Sequence, residues 1–447
     1  MKNIKLPIAC LVLLVGLAST AFGATNGVVL GQNFQSVIDA SAPGDTLIVQ
    51  PGVYPDANLV FNKPLTVLPS GTDGSPMQFL GTIQVTGAGM SSFQRSYFAG
   101  TVQTTNASVS FFDSTFNGNV NVTGGKLTMK RTILNYPLTL SSNAALEALR
   151  MTNNATVTAT ATAGSGTPFL AVQSWFKQPL ILNGFKVWLG YNNFIYSTIN
   201  PCLQETNCDS VLIGNKFTGA FYDGQTTEYG FSGSGGTLKA YNNLINANGP
   251  SQKWSGMLLY AMDAEIVNNT IIYKGTGYYQ TPFRGVQAIG VGAVTLRGNV
   301  ISISPDLQGN CQSYIVAVDA SGGAGSTLFV SYSDLFATNV VCGGGTVMAI
   351  QGVIPSPVNS LIQVNPNLAA DGSPNPGSPC INAGPPDAIY NNRDGTRNTM
   401  GYTGGPYWNP ANYTNNNPMV FLLTGQQTAI KSVQTSIPVS VGASAAH

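Results

Sequence analysis

Histidine is almost missing from this chain: the one present, His447, is the last residue. That excludes a Ser-His-Asp nucleophile arrangement, which needs a positioned imidazole. No C-x-x-C pair occurs either, so a tetrahedral zinc site has no ligand set to draw on. Charge is nearly as scarce. Asp, Glu, Lys and Arg make up 8% of the residues, and the formal net charge is +1. A nucleic-acid binder needs a basic footprint and a peripheral membrane protein a polybasic stripe; neither is present, and no nucleic-acid partner is expected. There is no G-x-x-x-x-G-K-[ST] phosphate loop. No apolar run reaches the roughly 18 residues of a spanning helix, so no transmembrane segment is expected. Long helical periodicity is absent too. What is present is 43% apolar residues and 51 glycines among many Asn, Ser and Thr. This is not a disordered composition. It suits a β-protein with a long core and a surface of neutral polar side chains.

The chain opens with Lys2 and Lys5, an apolar run from Leu6 to Ala18, and the small exit Ala21-Phe22-Gly23. This pattern reads as a secretory signal peptide over residues 1–23. The expected protein is therefore secreted, extracellular or at the cell surface, with a formal charge of about −1 once both lysines leave. Cys10 lies too close to Lys5 to read as a lipid-attachment site. An oxidising compartment permits disulfides. Cys202 with Cys208 would close a small loop, and Cys311 with Cys342 would join adjacent turns, leaving Cys380 over; spacing alone does not fix the connectivity.

One short amphipathic helix is expected at Phe34, Val37 and Ile38, ending before Pro43. Strands follow at Thr46–Gln50, Asn58–Phe61 and Leu65–Leu68, separated by turns and by no helix. That is the layout of one coil of a parallel β-helix. Repetition strengthens it. A short apolar strand running into a polar turn and then an apolar residue recurs in FFDSTF, LAVQSWF, GYNNF, LIGNKF, KAYNNL, EIVNNT, TLRGNV and VSYSDL. The steps lengthen from about 18 residues to about 35, which means loops growing on a constant strand core. Asn193, Asn215, Asn243, Asn269 and Asn299 form a row at the turn, with Asp334 continuing it. Asn tolerates left-handed backbone, and stacked amides bond to one another along a cross-β axis. The row reads as structural.

Two segments carry a resemblance. Pro43–Tyr54, reading PGDTLIVQPGVY, with Asn62–Val67, resembles the first coil of the pectate-lyase-like β-helix superfamily. Pro374–Gly384, reading PNPGSPCINAG, with Asp394–Gly401, resembles the closing segment of bacterial secreted β-helix proteins, although Asn382, Asn392 and Thr399 stand where that family prefers acids. The resemblance implies an all-β, single-stranded right-handed parallel β-helix of about 11–13 coils over residues 24–405, with an N-terminal helical cap. A C-terminal extension, 406–447, is expected as a linker plus short strands at Met419–Leu423 and Ser436–Val441.

Cleavage of a polysaccharide on such a fold needs carboxylates, or calcium held by them, with Arg or Lys beside the bond. Asp263 and Glu265 alternate onto one strand face, with Arg284 and Arg297 within about a rung; these four are the candidate catalytic set. Trp254, Tyr260, Tyr278 and Tyr279 are candidate sugar-stacking rings. The competing reading pairs Glu265 with Lys239 one rung earlier. Asp394, before Gly395, is the candidate calcium ligand, against a reading of this segment as a cap in which Arg397 bonds carbonyls. Asp209, Asp223 and Glu228 read as loop residues. Three functions follow as expectations. The first is a non-catalytic structural, adhesive or glycan-contacting rod, with an extracellular polysaccharide or cell-surface glycan as partner. The second is a polysaccharide lyase or glycoside hydrolase. The third is a subunit of a self-assembling filament, joined through a coil end or the C-terminal extension.

Overall fold

The computed structural model describes residues 23–71, 74–195, 201–219, 227–249, 253–278, 282–290, 292–308, 314–322, 326–338 and 346–408. The leader, Cys311, Cys342, Tyr279 and the strands expected beyond residue 408 lie outside them.

Thr46–Val49, Gly52–Tyr54 and Asn58–Phe61 are three short strands. They alternate buried and outward residues, as a half-buried strand must. The next strand, Thr66–Pro69, returns to lie parallel on Thr46–Val49. Repeating this circuit builds a parallel β-solenoid with three faces. The first face runs from Thr25–Val28 to Ser326–Ser331, and the second from Asn58–Phe61 to Thr346–Gln351. The third, from Gly52–Tyr54 to Leu361–Ile362, has 14 strands among the described residues, just beyond the expected number of coils. Leu203–Ile213 and Thr227–Tyr241 run unbroken from the second face onto the first. Every ladder between strands among the described residues is parallel.

In-register stacking places like residues on like. Inside the coil, Phe79, Phe98 and Phe116 stack at 5.4 and 4.9 Å. Phe176, Phe194 and Phe217 stack at 4.9 and 4.5 Å. The helix Phe34–Ala40 buries Phe34 and Ile38, and the Phe34 ring meets Tyr54, Phe61 and Phe79. Asn33 caps it by accepting the Ser36 N–H at 3.0 Å.

The corner from first to third face is made by one residue in the left-handed region. Arg95, Asp113, Arg131, Arg150, Gln173, Tyr191, Asn242, Asn268 and Tyr332 hold it, with φ from 48 to 55°, and Gly214 and Gly298 take the same place. The residue after each corner forms the ladder. Asn192, Asn215, Asn243, Asn269 and Asn299 are buried. The Asn215 backbone N–H and Nδ2 donate to Asn243 Oδ1 at 2.8 and 2.9 Å, and Asn243 repeats this onto Asn269. Each Nδ2 also donates to a strand carbonyl of the preceding rung, as Asn243 does to Leu212 at 2.9 Å. Serines continue the row: Asn299 N–H donates to Ser333 Oγ, and Ser333 N–H to Ser360 Oγ. Two positions expected in this row are corrected. Asn192 is the member and Asn193 the outward residue after it; Ser333 is the member and Asp334 the outward residue.

Past Leu361–Ile362 the described residues make no further rung. Residues 363–408 turn back along the outside of the third face. Cys380 Sγ lies 3.3 Å from Asp334 Oδ2, Gly401 N–H donates to Gly298 O at 2.7 Å, and Tyr402 N–H to Thr270 Oγ1 at 2.9 Å. Asn242 Nδ2 donates to Tyr402 O, and Tyr191 OH to Tyr407 O at 2.8 Å. From Cys380 to Tyr407 the return segment thus crosses rungs in reverse order. It covers Leu244, Thr270, Val300 and Asp334, which are buried although they point outward.

Candidate functional site

The expected catalytic set is divided between faces. Asp263 and Glu265 do share the outward side of Asp263–Val267, with Ala264 and Ile266 inside. Asp263 accepts the Ala293 N–H at 2.8 Å, and Glu265 accepts the Tyr241 hydroxyl at 3.1 Å. Lys239 is the register partner of Glu265, as expected, but the three ion pairs among the described residues are Lys126–Glu147, Arg131–Asp113 and Arg284–Asp319. Arg284 therefore sits on the second face, committed to Asp319, and does not join Asp263. Arg297 anchors the return segment: Nη1 donates to Tyr390 OH at 3.0 Å and the guanidinium lies over that ring.

Of the expected sugar-stacking rings, Trp254 is fully buried in the core and presents no surface, a correction set by its inward strand position. Tyr260 is exposed on the second face, and the Tyr278 side chain is outside the described residues. Asp394 Oδ1 takes the Thr396 N–H and hydroxyl, and Arg397 donates twice to Gly384 O. The hydrogen bonds there are those of a closing turn. No group of three His, Cys, Asp or Glu suited to a metal occurs among the described residues. Asp209 and Glu228 lie in strands, not loops, and Asp223 is outside the described residues. Cys202 and Cys208 are free, buried thiols. Cα atoms must approach within about 7 Å to be bridged, and the mostly extended run between them spans roughly 15 Å or more.

Two carboxyls are strongly perturbed, yet neither reaches solvent. Burial inside the coil pushes Glu205 up to about 7, against a hydrogen bond from Ser210 at 2.6 Å. Burial beneath the return segment pushes Asp334 to about 7. Perturbed groups mark sites only where a ligand can arrive.

The feature that does meet solvent is the uncovered half of the third face. Its outward row runs in register through Gln78, Tyr97, Thr115, Ile133, Thr152 and Trp175. Ile133 and Trp175 are exposed, as is Tyr136, the residue after Asn135. One flank is the left-handed corner column. Arg131 forks onto Asp113 at 2.5 and 2.7 Å, and Arg150 Nε donates to Gln173 at 3.2 Å. The other flank is a second amide ladder: Asn154 donates to Asn135, Asn135 to Asn117, and Asn117 to Tyr97 OH, each at 2.6 Å. The centre of this strip thus alternates Tyr97, Ile133 and Trp175 with the polar Gln78, Thr115 and Thr152, and both edges are hydrogen-bonding. Sequence reasoning did not assemble it. The signal available was Asn117, Asn135 and Asn154, recurring at the rung period two residues past the outward row.

No family model, curated protein or solved structure matches this chain.

Proposed function

We propose that this protein is a secreted, non-catalytic β-solenoid of the pectate-lyase-like kind that contacts a glycan along the open half of its third face. The observation carrying the reading is the exposed Trp175 and Ile133 in a row between two hydrogen-bonding edges, with the exposed Tyr136 just past the amide edge. Aromatic rings offer flat apolar area to the C–H faces of sugars, while amides and hydroxyls meet sugar hydroxyls as donors and acceptors. The apparent leader supports secretion, and the opening and closing segments support the family. The division of the expected catalytic residues supports a binding role over cleavage: Arg284 is paired with Asp319 and Arg297 with Tyr390.

The test is binding of the purified chain to a panel of neutral and uronate polysaccharides, with and without calcium, read also for unsaturated products and new reducing ends. At least one polysaccharide is expected to bind without being cleaved. Trp175→Ala is expected to weaken that binding about tenfold, a loss of roughly 1.4 kcal/mol, with the melting temperature unchanged. Cleavage abolished by Asp263→Asn would replace this reading with the enzymatic one.

A further inference from the structure

The two ends of the solenoid are finished differently. Where the coil begins, the first inward residues Leu47, Val49, Tyr54 and Phe61 are all buried. The edge of Asn58–Phe61 is closed by a helix side chain: Gln35 Oε1 accepts the Val60 N–H at 2.8 Å, and Gln35 Nε2 donates to Val60 O at 3.1 Å. Among the described residues, no side chain closes the other end in this way. Thr346–Gln351 pairs with Tyr314–Asp319, and Leu361–Ile362 with Asp334–Leu335; neither has a described strand on its far side. Inward positions come into view there. Leu335 is fully buried, but its register partner Ile362 is 42% exposed. Val347 and Ile350 are half-buried over the fully buried Ile315 and Val318. Val353 and Val358, on the same circuit, are exposed, Val353 at 97%. From Thr346 to Ala370 no residue is charged.

We propose that this end binds a second copy of the chain, end to end about a two-fold axis, forming a closed dimer. An open strand edge is a template for another strand, and a two-fold axis sets an edge strand antiparallel to its own copy. Thr346–Gln351 is the strand placed to do so. The first-face edge at Val358 is blunted by Pro355 and Pro357, which have no N–H to offer. An uncharged apolar surface meets an identical one without repulsion. The chain's own continuation does not supply the partner. It leaves Ile362 along the third face and reaches Tyr191 at Tyr407, six rungs or about 29 Å from this end. The contact also stops at two copies, because Gln35 closes the opposite edge. This inference does not depend on the glycan reading; the open strips of both copies lie on the outer halves of the dimer.

The experiment is analytical ultracentrifugation of the full chain from about 1 to about 100 µM. A monomer–dimer equilibrium is expected, with no larger species. Hydrogen exchange at the two ends of that range is expected to show protection gained with concentration at residues 346–351 and 361–364 and nowhere else. Val353→Asp and Val358→Asp, both at exposed positions, each set like charges against each other across the axis. Each is expected to weaken the dimer at least tenfold, with the melting temperature of the dilute monomer unchanged. A monomer throughout the range would overturn the proposal. So would a dimer that both variants leave intact, or protection that appears on another surface. Open-ended polymers would overturn the two-fold arrangement in favour of head-to-tail stacking.

Discussion

At the scale of the residue, the fold depends on side chains that replace backbone hydrogen-bond partners at the corner. Asn243 is the clearest case. Its Oδ1 satisfies two donors of Asn215, and its Nδ2 satisfies Leu212 O and Asn269 Oδ1. Asn243→Ala leaves the Asn215 N–H and the Leu212 carbonyl without these partners in a buried place. Each unsatisfied group costs about 1–3 kcal/mol, so the expected loss is roughly 2–4 kcal/mol, measured by urea unfolding. Asn154, in the exposed outer ladder, is a natural control: water replaces its partners, and Asn154→Ala is expected to cost under about 0.5 kcal/mol. The row of asparagines was legible in the sequence, but its register was not. GYNNF offers two adjacent asparagines, and only the left-handed corner at Tyr191 decides that Asn192 turns inward.

At the scale of the element, the third-face strands divide into two kinds. Early ones alternate, as in Thr115–Phe116. Later ones, Thr270–Tyr273 and Val300–Ile303, are buried at all four positions. The difference is the return segment, which gives their outward side an apolar cover. Leu244, Ile272 and Tyr402 form a small core of their own, and Val300, Cys380 and Met400 another. This is also why aligning the repeats on their last apolar residue slips by one. Leu244, Thr270 and Val300 look like interior positions, but Ile245, Ile271 and Ile301 are in register with the inward Phe217. Tyr402 is the main anchor, buried and donating its hydroxyl to Asp371 O at 3.1 Å. Tyr402→Ala is expected to cost about 3 kcal/mol. It is also expected to open residues 363–408 to limited proteolysis while the coil stays resistant, which mass spectrometry of the fragments would read.

At the scale of the whole molecule, two buried carboxyls give stability a pH dependence. Glu205 inside the coil and Asp334 under the return segment are both pushed up to about 7 by burial, from ordinary values of 4.5 and 3.8. The native state therefore holds these protons more tightly than the unfolded chain does. Their contribution is fully present below the ordinary carboxyl values and is lost as pH rises through about 7. For Glu205 alone the loss is of order 3 kcal/mol. The melting temperature is expected to fall between pH 5 and pH 8, and Glu205→Gln, which cannot ionise, to flatten that fall. A wild-type melting temperature level across this range would contradict the assignment.

The sequence by itself determined the all-β solenoid, the short helix over Phe34 and Ile38, and the strand circuit. These follow from local rules: period-2 burial, turn residues, and a repeat that returns before a helix can form. It also placed Asp263 and Glu265 on one outward strand side, because alternation is local. Only the tertiary structure decided which residues meet across rungs. Rung length varies with its loops, so sequence distance does not report spatial distance; Arg284 was close in sequence yet lies on another face, bound to Asp319. The tertiary structure also decided which half of the third face is covered. The return segment reaches back from Cys380 at Asp334 to Tyr407 at Tyr191. Contacts across such separations leave no periodic trace in the chain, and where they end, the strip from Gln78 to Trp175 is left open to solvent.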